Sequence, residues 1–168
     1  MFSIKYLVSS IRKMAAIEKE IEIPLSKRRA FEAFVNGLNE WWPKEYTWSQ
    51  ENLQQILIEP EKDGLCIEIG PYNFRCDWGR VTEFEKGNRI SMKWQISPQR
   101  VPEPDPDKSS DVNIVFREKT DTETILDFRH FNFENHGEGS EEYQRAMDSE
   151  QGWDYILSRF VDYCKTKF

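Results

Sequence analysis

Two histidines, His130 and His136, are the side chains of this sequence best suited to proton transfer or metal ligation, and they stand six residues apart with Glu134 between them. That grouping matches no recognised metal-ligand set. No nucleophile elbow, glycine-rich phosphate loop or His-Glu-x-x-His stretch occurs either. The expectation is therefore no catalytic residue, no metal and no cofactor. Arg75, Asp77 and Arg80 surround Trp78, and Asp127 and Arg129 flank Phe128. Their alternation places most of them on a polar sheet face, as ion pairs of small individual worth. Arg80 is the exception, because a bulge at Gly79 would turn it inward, toward an anionic ligand group. His130 continues the inward phase of Leu126 and Phe128, which sets an ionisable ring at the end of an apolar strand. The expected arrangement satisfies it with a backbone carbonyl or a neighbour on the C-terminal helix; the alternative is that it orients a ligand. His136, in the loop 134–139, is expected to face solvent.

What must position these groups is an aromatic interior. The chain has 168 residues with 6 Trp and 11 Phe, 14% aromatic in all, and two of the tryptophans are adjacent in Asn39-Glu40-Trp41-Trp42-Pro43. A net charge of -7 argues against nucleic acid and against anionic membrane surfaces, which both require a positive face. Three cysteines, an odd number without metal-like spacing, read as reduced thiols in a cytoplasmic protein. No run approaches the roughly 20 apolar residues that span a bilayer, so membrane insertion is not expected. Residues 1–14 carry Lys5, Arg12 and Lys13 and no acid, and read as an extension without function ahead of a single domain over 15–168.

Ile17, Ile21 and Ile23 alternate with glutamates, as in a half-buried strand that Pro24 ends. Ser26 then caps a helix whose apolar positions run from Ala30 to Trp42, stopped by Pro43 and open to a break at Gly37. Of the two tryptophans, Trp42 has the better helical offset from Phe31, Val35 and Leu38 and is assigned the inward position. From Leu53 the period becomes two, giving an antiparallel meander: Ile56/Ile58, Leu65/Ile67/Ile69, Phe74/Cys76/Trp78, Ile90/Met92/Trp94/Ile96, Val112/Ile114/Phe116 and Leu126/Phe128/His130. Pairing Ile69 with Phe74, Ile67 with Cys76 and Leu65 with Trp78 requires a four-residue turn, 70–73, and points Cys66 away from Cys76. The segment from about Ser140 to Lys165 reads as one long helix, roughly 35 to 40 Å, with Trp153, Ile156, Leu157, Phe160 and Cys164 on one stripe.

The stretches Ser26–Phe34 with Trp41-Trp42-Pro43, Trp78–Val81 with Arg89–Trp94, Thr124–His130 and Gln151–Leu157 together resemble the START-like, or SRPBCC, helix-grip superfamily. Within it they resemble the group named after the activator of the heat-shock protein 90 ATPase. The resemblance spans residues 16 to 166 in order. It implies an α+β helix-grip fold, a curved antiparallel sheet around a long C-terminal helix, and an elongated apolar cavity between the two. Phe34, Leu38, Trp42, Trp78, Arg80, Met92, Trp94, Phe116, Phe128, His130, Trp153 and Leu157 would line that cavity. The residues themselves leave a solid core and a lined cavity equally open.

Three functions follow in order. The first is binding of a small hydrophobic or amphipathic molecule (a lipid, sterol or polyketide-like compound) without covalent chemistry. The second is a co-chaperone-like interaction domain with a chaperone partner, ranked lower because the chain has no room for the additional N-terminal domain of the named activator. The third is a cyclase or hydrolase using His130 as acid or base.

Overall fold

A computed structural model describes residues 13–168. The N-terminal extension expected over 1–14 therefore lies, for residues 1–12, outside the described residues. Strand β1 (Ile17–Ile23) buries Ile17 and Ile23 and exposes its glutamates, as its alternation requires. Helix α1 (Lys27–Asn36) starts at Ser26, whose side chain accepts from the Arg29 N–H, and buries Ala30, Phe31, Ala33, Phe34 and Val35. It breaks at Gly37, where a Cβ would sit 2.5 Å from the Ala33 carbonyl and 2.9 Å from the Tyr163 hydroxyl. One further turn, α2 (Leu38–Trp41), follows, and Trp42 is already extended at φ -63°, ψ 132°, as the residue before a proline prefers.

Six more strands form the meander: β2 (Gln55–Ile58), β3 (Leu65–Ile69), β4 (Arg75–Glu85), β5 (Arg89–Trp94), β6 (Ser110–Thr120) and β7 (Glu123–Phe131). All neighbours are antiparallel, and β1 closes on β7, giving the order β1-β7-β6-β5-β4-β3-β2. The result is a curled seven-stranded sheet that grips a C-terminal helix, the α+β helix-grip fold. Its outer face carries the expected ion pairs: Arg117 with Asp127, Arg129 with Glu18 at 3.4 Å and Lys119 with Glu22 at 2.6 Å. Exposed pairs of this kind contribute little each.

The bulge at Gly79 is present. Cys66 pairs with Gly79 and Ile67 with Asp77, so Trp78 is the extra residue, and the buried phase resumes at Val81. Beyond it the register differs from the expected one. Ile69 lies opposite Arg75 and Glu68 opposite Cys76, so Cys66 and Glu68, and not Leu65 and Ile67, carry the inward phase. The turn spans 70–74, with Tyr72 and Asn73 in left-handed backbone. Ile67 is buried as well but stands outside the main core cluster. A strand with both faces covered has no clean alternation, which is why periodicity misplaced this one. In consequence Cys66 and Cys76 share a face, yet both remain free thiols. Arg80, expected to turn inward at the bulge, is exposed and donates to the Asp63 carbonyl at 3.1 Å. The extra residue shifts the phase by one, so Arg80, two positions after the buried Trp78, faces outward while Gly79 and Val81 face inward.

The long C-terminal helix is two helices, α3 (Ser140–Asp148) and α4 (Trp153–Lys167). The break falls in the polar run 149–152. Gly152 packs its Cα against the end of α3, and a Cβ there would lie 2.3 Å from the Met147 carbonyl and 2.5 Å from that of Ala146. At 1.5 Å per residue α4 is roughly 22 Å long, shorter than the span expected of one continuous helix. Among the described residues no helix is long and apolar enough to cross a membrane. Substituting Gly152→Ala should destabilise the fold by about 1 to 3 kcal/mol, since backbone atoms must move to admit the methyl group. A drop in the urea midpoint without a change in the slope of the transition is the expected result.

Candidate functional site

The space between sheet and α4 is filled with rings. Phe34 packs edge-on to Phe116 and Phe160 at centroid distances of 5.8 and 5.1 Å, and Trp153 lies 4.4 Å from Phe128 and 5.2 Å from Trp94. Trp42 stacks on Trp78 at 6.0 Å and meets Trp94 and Trp153 at 6.4 and 6.1 Å. Leu38, Met92 and Leu157 are buried in the same cluster. Of the residues expected to line an elongated cavity, all but Arg80 are therefore brought together, but mostly as packed core. Both adjacent tryptophans are buried, Trp41 the more completely. Trp41 belongs to the core through Phe34 and Phe160. Trp42 reaches its place through its extended backbone and not through the helical offset that suggested it.

Open volume lies at one end of this core. A cavity of about 560 Å³ is bounded by Trp42, Trp94 and Ile96 on one side and by Met147, Gly152 and Ile156 from the α3–α4 junction on the other. The break that replaces the continuous helix supplies that second wall. The segment after Pro43 crosses the rim with Tyr46 and Trp48, and the turn after β5 adds Arg100. Of the twelve expected site residues only Trp42 and Trp94 border it.

The rim segment is tied down at three points. Glu68, fully buried on the inner face of β3, accepts from the Trp48 and Ser49 backbone N–H groups at 3.0 and 2.9 Å and from the Ser49 hydroxyl at 2.8 Å. The Tyr46 hydroxyl donates to the Gln151 carbonyl at 2.6 Å, and the Trp48 indole N–H donates to the Arg100 carbonyl at 3.0 Å. The Tyr155 hydroxyl also donates to Glu45, which holds that carboxyl below its usual range. The Trp94 indole N–H is committed to the Tyr143 hydroxyl at 2.7 Å, which in turn donates to the Ile96 carbonyl at 2.9 Å. Trp94 thus presents a ring face to the cavity while its donor is satisfied elsewhere.

His130 is fully buried and does not border the cavity. The Trp153 indole can only donate, and it does so to His130 Nδ1 at 2.9 Å. His130 is therefore neutral with its proton on Nε2, which lies 2.7 Å from the Ser110 hydroxyl. Ser110 then donates onward to His136 Nε2 at 2.8 Å. His136 is half-buried and not solvent-facing as expected, and its Nδ1 is a buried donor without a partner among the described residues. Burial, the dominant cause, pushes His130 well below the usual histidine range and His136 down to about 4. With both ring nitrogens engaged and no access to the cavity, His130 is a structural link from α4 to β6, the arrangement expected of a neighbour on the C-terminal helix.

Among the described residues no group of three or more His, Cys, Asp or Glu side chains is placed to hold a metal ion. The cysteines are poor nucleophiles, since burial pushes the Cys76 and Cys164 thiols up to about 12 and that of Cys66 upward as well.

Tyr46, Trp48, Glu68 and Arg100 were not among the residues singled out from sequence. Two aromatics in a short aperiodic stretch between Pro43 and β2 were the available signal.

The sequence profile described as activator of Hsp90 ATPase homolog 1-like protein matches residues 26–165. No curated protein gives a significant match. Among solved structures, the anthrahydroquino-gamma-pyrone synthase Txn09 is 24% identical, with a TM-score of 0.64 over 89% of this chain and 97% of its own. The self-sacrificing resistance protein CalC from Micromonospora echinospora is 20% identical, with a TM-score of 0.66 over 90% and 95%. The Aha1 dimer from Colwellia psychrerythraea is 15% identical, with a TM-score of 0.60 over 91% and 98%. At these identities the likeness concerns the fold.

Both histidines titrate far below the value of about 6.5 that they have in an unfolded chain. Between that value and about 4 the unfolded state binds more protons, so stability rises with pH there and is lost as pH falls. Each such group contributes a slope of up to about 1.4 kcal/mol per pH unit. His136→Gln should flatten the fall in unfolding free energy between pH 6.5 and 4.5 by close to one proton. Denaturant titrations across that range read the difference directly.

Proposed function

The chain belongs to the family of activator of Hsp90 ATPase homolog 1-like proteins, and from that premise we propose that it binds a small hydrophobic or amphipathic molecule without covalent chemistry. The observation that carries this reading is the cavity of about 560 Å³ bounded by Trp42, Trp94, Tyr46 and Trp48. Drug-sized ligands occupy pockets of about 300 to 1,000 Å³ with mostly apolar walls and a few polar groups. The packed sheet–helix interior supports it indirectly: Trp42 and Trp94 are braced by Trp78 and Trp153, so the wall is set before a ligand arrives. The cavity residues include no nucleophile–base pair, and the buried histidine chain does not open onto it, which favours binding over catalysis. One structural relative, a pyrone synthase, shows the same fold used around a small organic molecule.

Burying about 200 Å² of ligand apolar surface at about 25 cal/mol per Å² gives roughly 5 kcal/mol, a dissociation constant near 0.2 mM before polar contacts add to it. Native mass spectrometry of freshly purified protein, followed by tryptophan fluorescence titration with fatty acids, sterols and flavonoids, should find a saturable ligand. The discriminating variant is Ala146→Trp, at an exposed position on the cavity rim. It should weaken that binding at least tenfold while leaving stability within about 0.5 kcal/mol, as surface substitutions usually do. No response from any of the compounds, or full binding by the variant, contradicts the reading.

A further inference from the structure

The charge chemistry of the cavity rim is one-sided. Glu45 and Arg100 are the two charged residues that border it. The Glu45 carboxylate is already engaged by the Tyr155 hydroxyl. Arg100 forms no ion pair among the described residues; its guanidinium lies 4.5 Å from the Tyr143 ring centroid and one nitrogen lies 3.3 Å from the Met147 sulfur, a weak acceptor. An arginine has five N–H donors in a fixed fork suited to a carboxylate, so most of its capacity is unspent.

The backbone at this position sharpens the point. Arg100 sits at φ 62° in a turn closed by its N–H donating to the Ser97 carbonyl at 2.8 Å. Glycine or asparagine would adopt that conformation more readily. The arginine side chain is thus present despite its backbone preference, and its own carbonyl anchors the Trp48 indole at the rim. The neighbouring walls are flat and rigid: Trp42 is wedged among four other indoles, and Trp94 offers a ring whose N–H is spent on Tyr143.

We propose that the cavity selects flat aromatic molecules carrying one carboxylate, and that Arg100 reads that charge at the rim while the indoles of Trp42, Trp48 and Trp94 hold the ring system. This rests on the binding function proposed above and names its ligand class. A protein with a net charge of -7 repels anions at long range, so the preference has to come from this local group.

The test is calorimetric titration of the full chain with anthracene-2-carboxylate, 2-(hydroxymethyl)anthracene, 2-(aminomethyl)anthracene and laurate. The carboxylate should bind at least tenfold more tightly than the alcohol, and the amine no more tightly than the alcohol. Arg100→Gln should bring the ratio of carboxylate to alcohol affinity to about one, and Arg100→Lys should keep part of the preference. Saturable binding of the alcohol by the Arg100→Gln variant reports that it is folded with its pocket intact. Equal binding of carboxylate and alcohol, or a preference that survives Arg100→Gln, overturns the role of Arg100 and leaves the binding function standing. Laurate matching anthracene-2-carboxylate overturns the selection for flat rings. Failure of all four to bind overturns the inference and the binding function together.

Discussion

An indole N–H donates a hydrogen bond and accepts none, so a core built on tryptophan must place an acceptor at the edge of each ring. Five of the six tryptophans of this chain are buried, and much of the fold can be traced to where their acceptors come from. Trp41 donates to the Phe34 carbonyl, beside the helix break at Gly37. Trp94 uses Tyr143 on α3, which docks that helix against the end of β5. Trp153, the first residue of α4, uses His130 and so fixes its tautomer, the Ser110 hydroxyl and His136 in turn. Trp78 has a buried N–H without a partner among the described residues, at the bulge opposite Cys66 and Ile67.

This arrangement decides where open space can exist. Rings that must keep their edges on fixed acceptors cannot slide to line a long tunnel, and between sheet and α4 they interdigitate at centroid distances near those of other aromatic cores. Space survives instead where the helices part. The helix is broken over 149–152, and the segment holding Tyr46 and Trp48, anchored by Glu68, is tied to that break through the Gln151 carbonyl. The cavity is therefore a product of one helix break and one buried carboxylate acting on opposite rims.

The parts of the fold legible in the sequence were those with a single buried face. The alternation in β1, the apolar spacing of α1, the capping by Ser26 and the bulge at Gly79 all appear as read. β3 did not, because Ile67 is buried as well as Cys66 and Glu68, and a strand covered on both faces gives no phase. The continuous C-terminal helix failed at Gly152, whose presence in a polar run was visible but weaker than the apolar stripe on either side. The candidate site was half legible for a related reason. Trp94 could be placed by its strand and Trp42 was assigned inward on a helical offset that its extended backbone does not have, whereas Tyr46, Trp48 and Arg100 lie in connections where no period exists to say which way a side chain points. Arg80 shows the converse, a residue assigned inward from a bulge whose extra residue turned it outward.

The central claim is that ligand space lies at the end of the core, against Trp42, Trp48 and Trp94, and not along the sheet–helix interface. Fluorine NMR of protein labelled with 5-fluorotryptophan, titrated with 2-(hydroxymethyl)anthracene and assigned by single Trp→Phe variants, tests it most directly. The account predicts shifts at Trp42, Trp48 and Trp94, with little change at Trp41 or at Trp153. Shifts centred on Trp153 and Trp78, with Trp48 silent, would place the ligand between sheet and helix and contradict it.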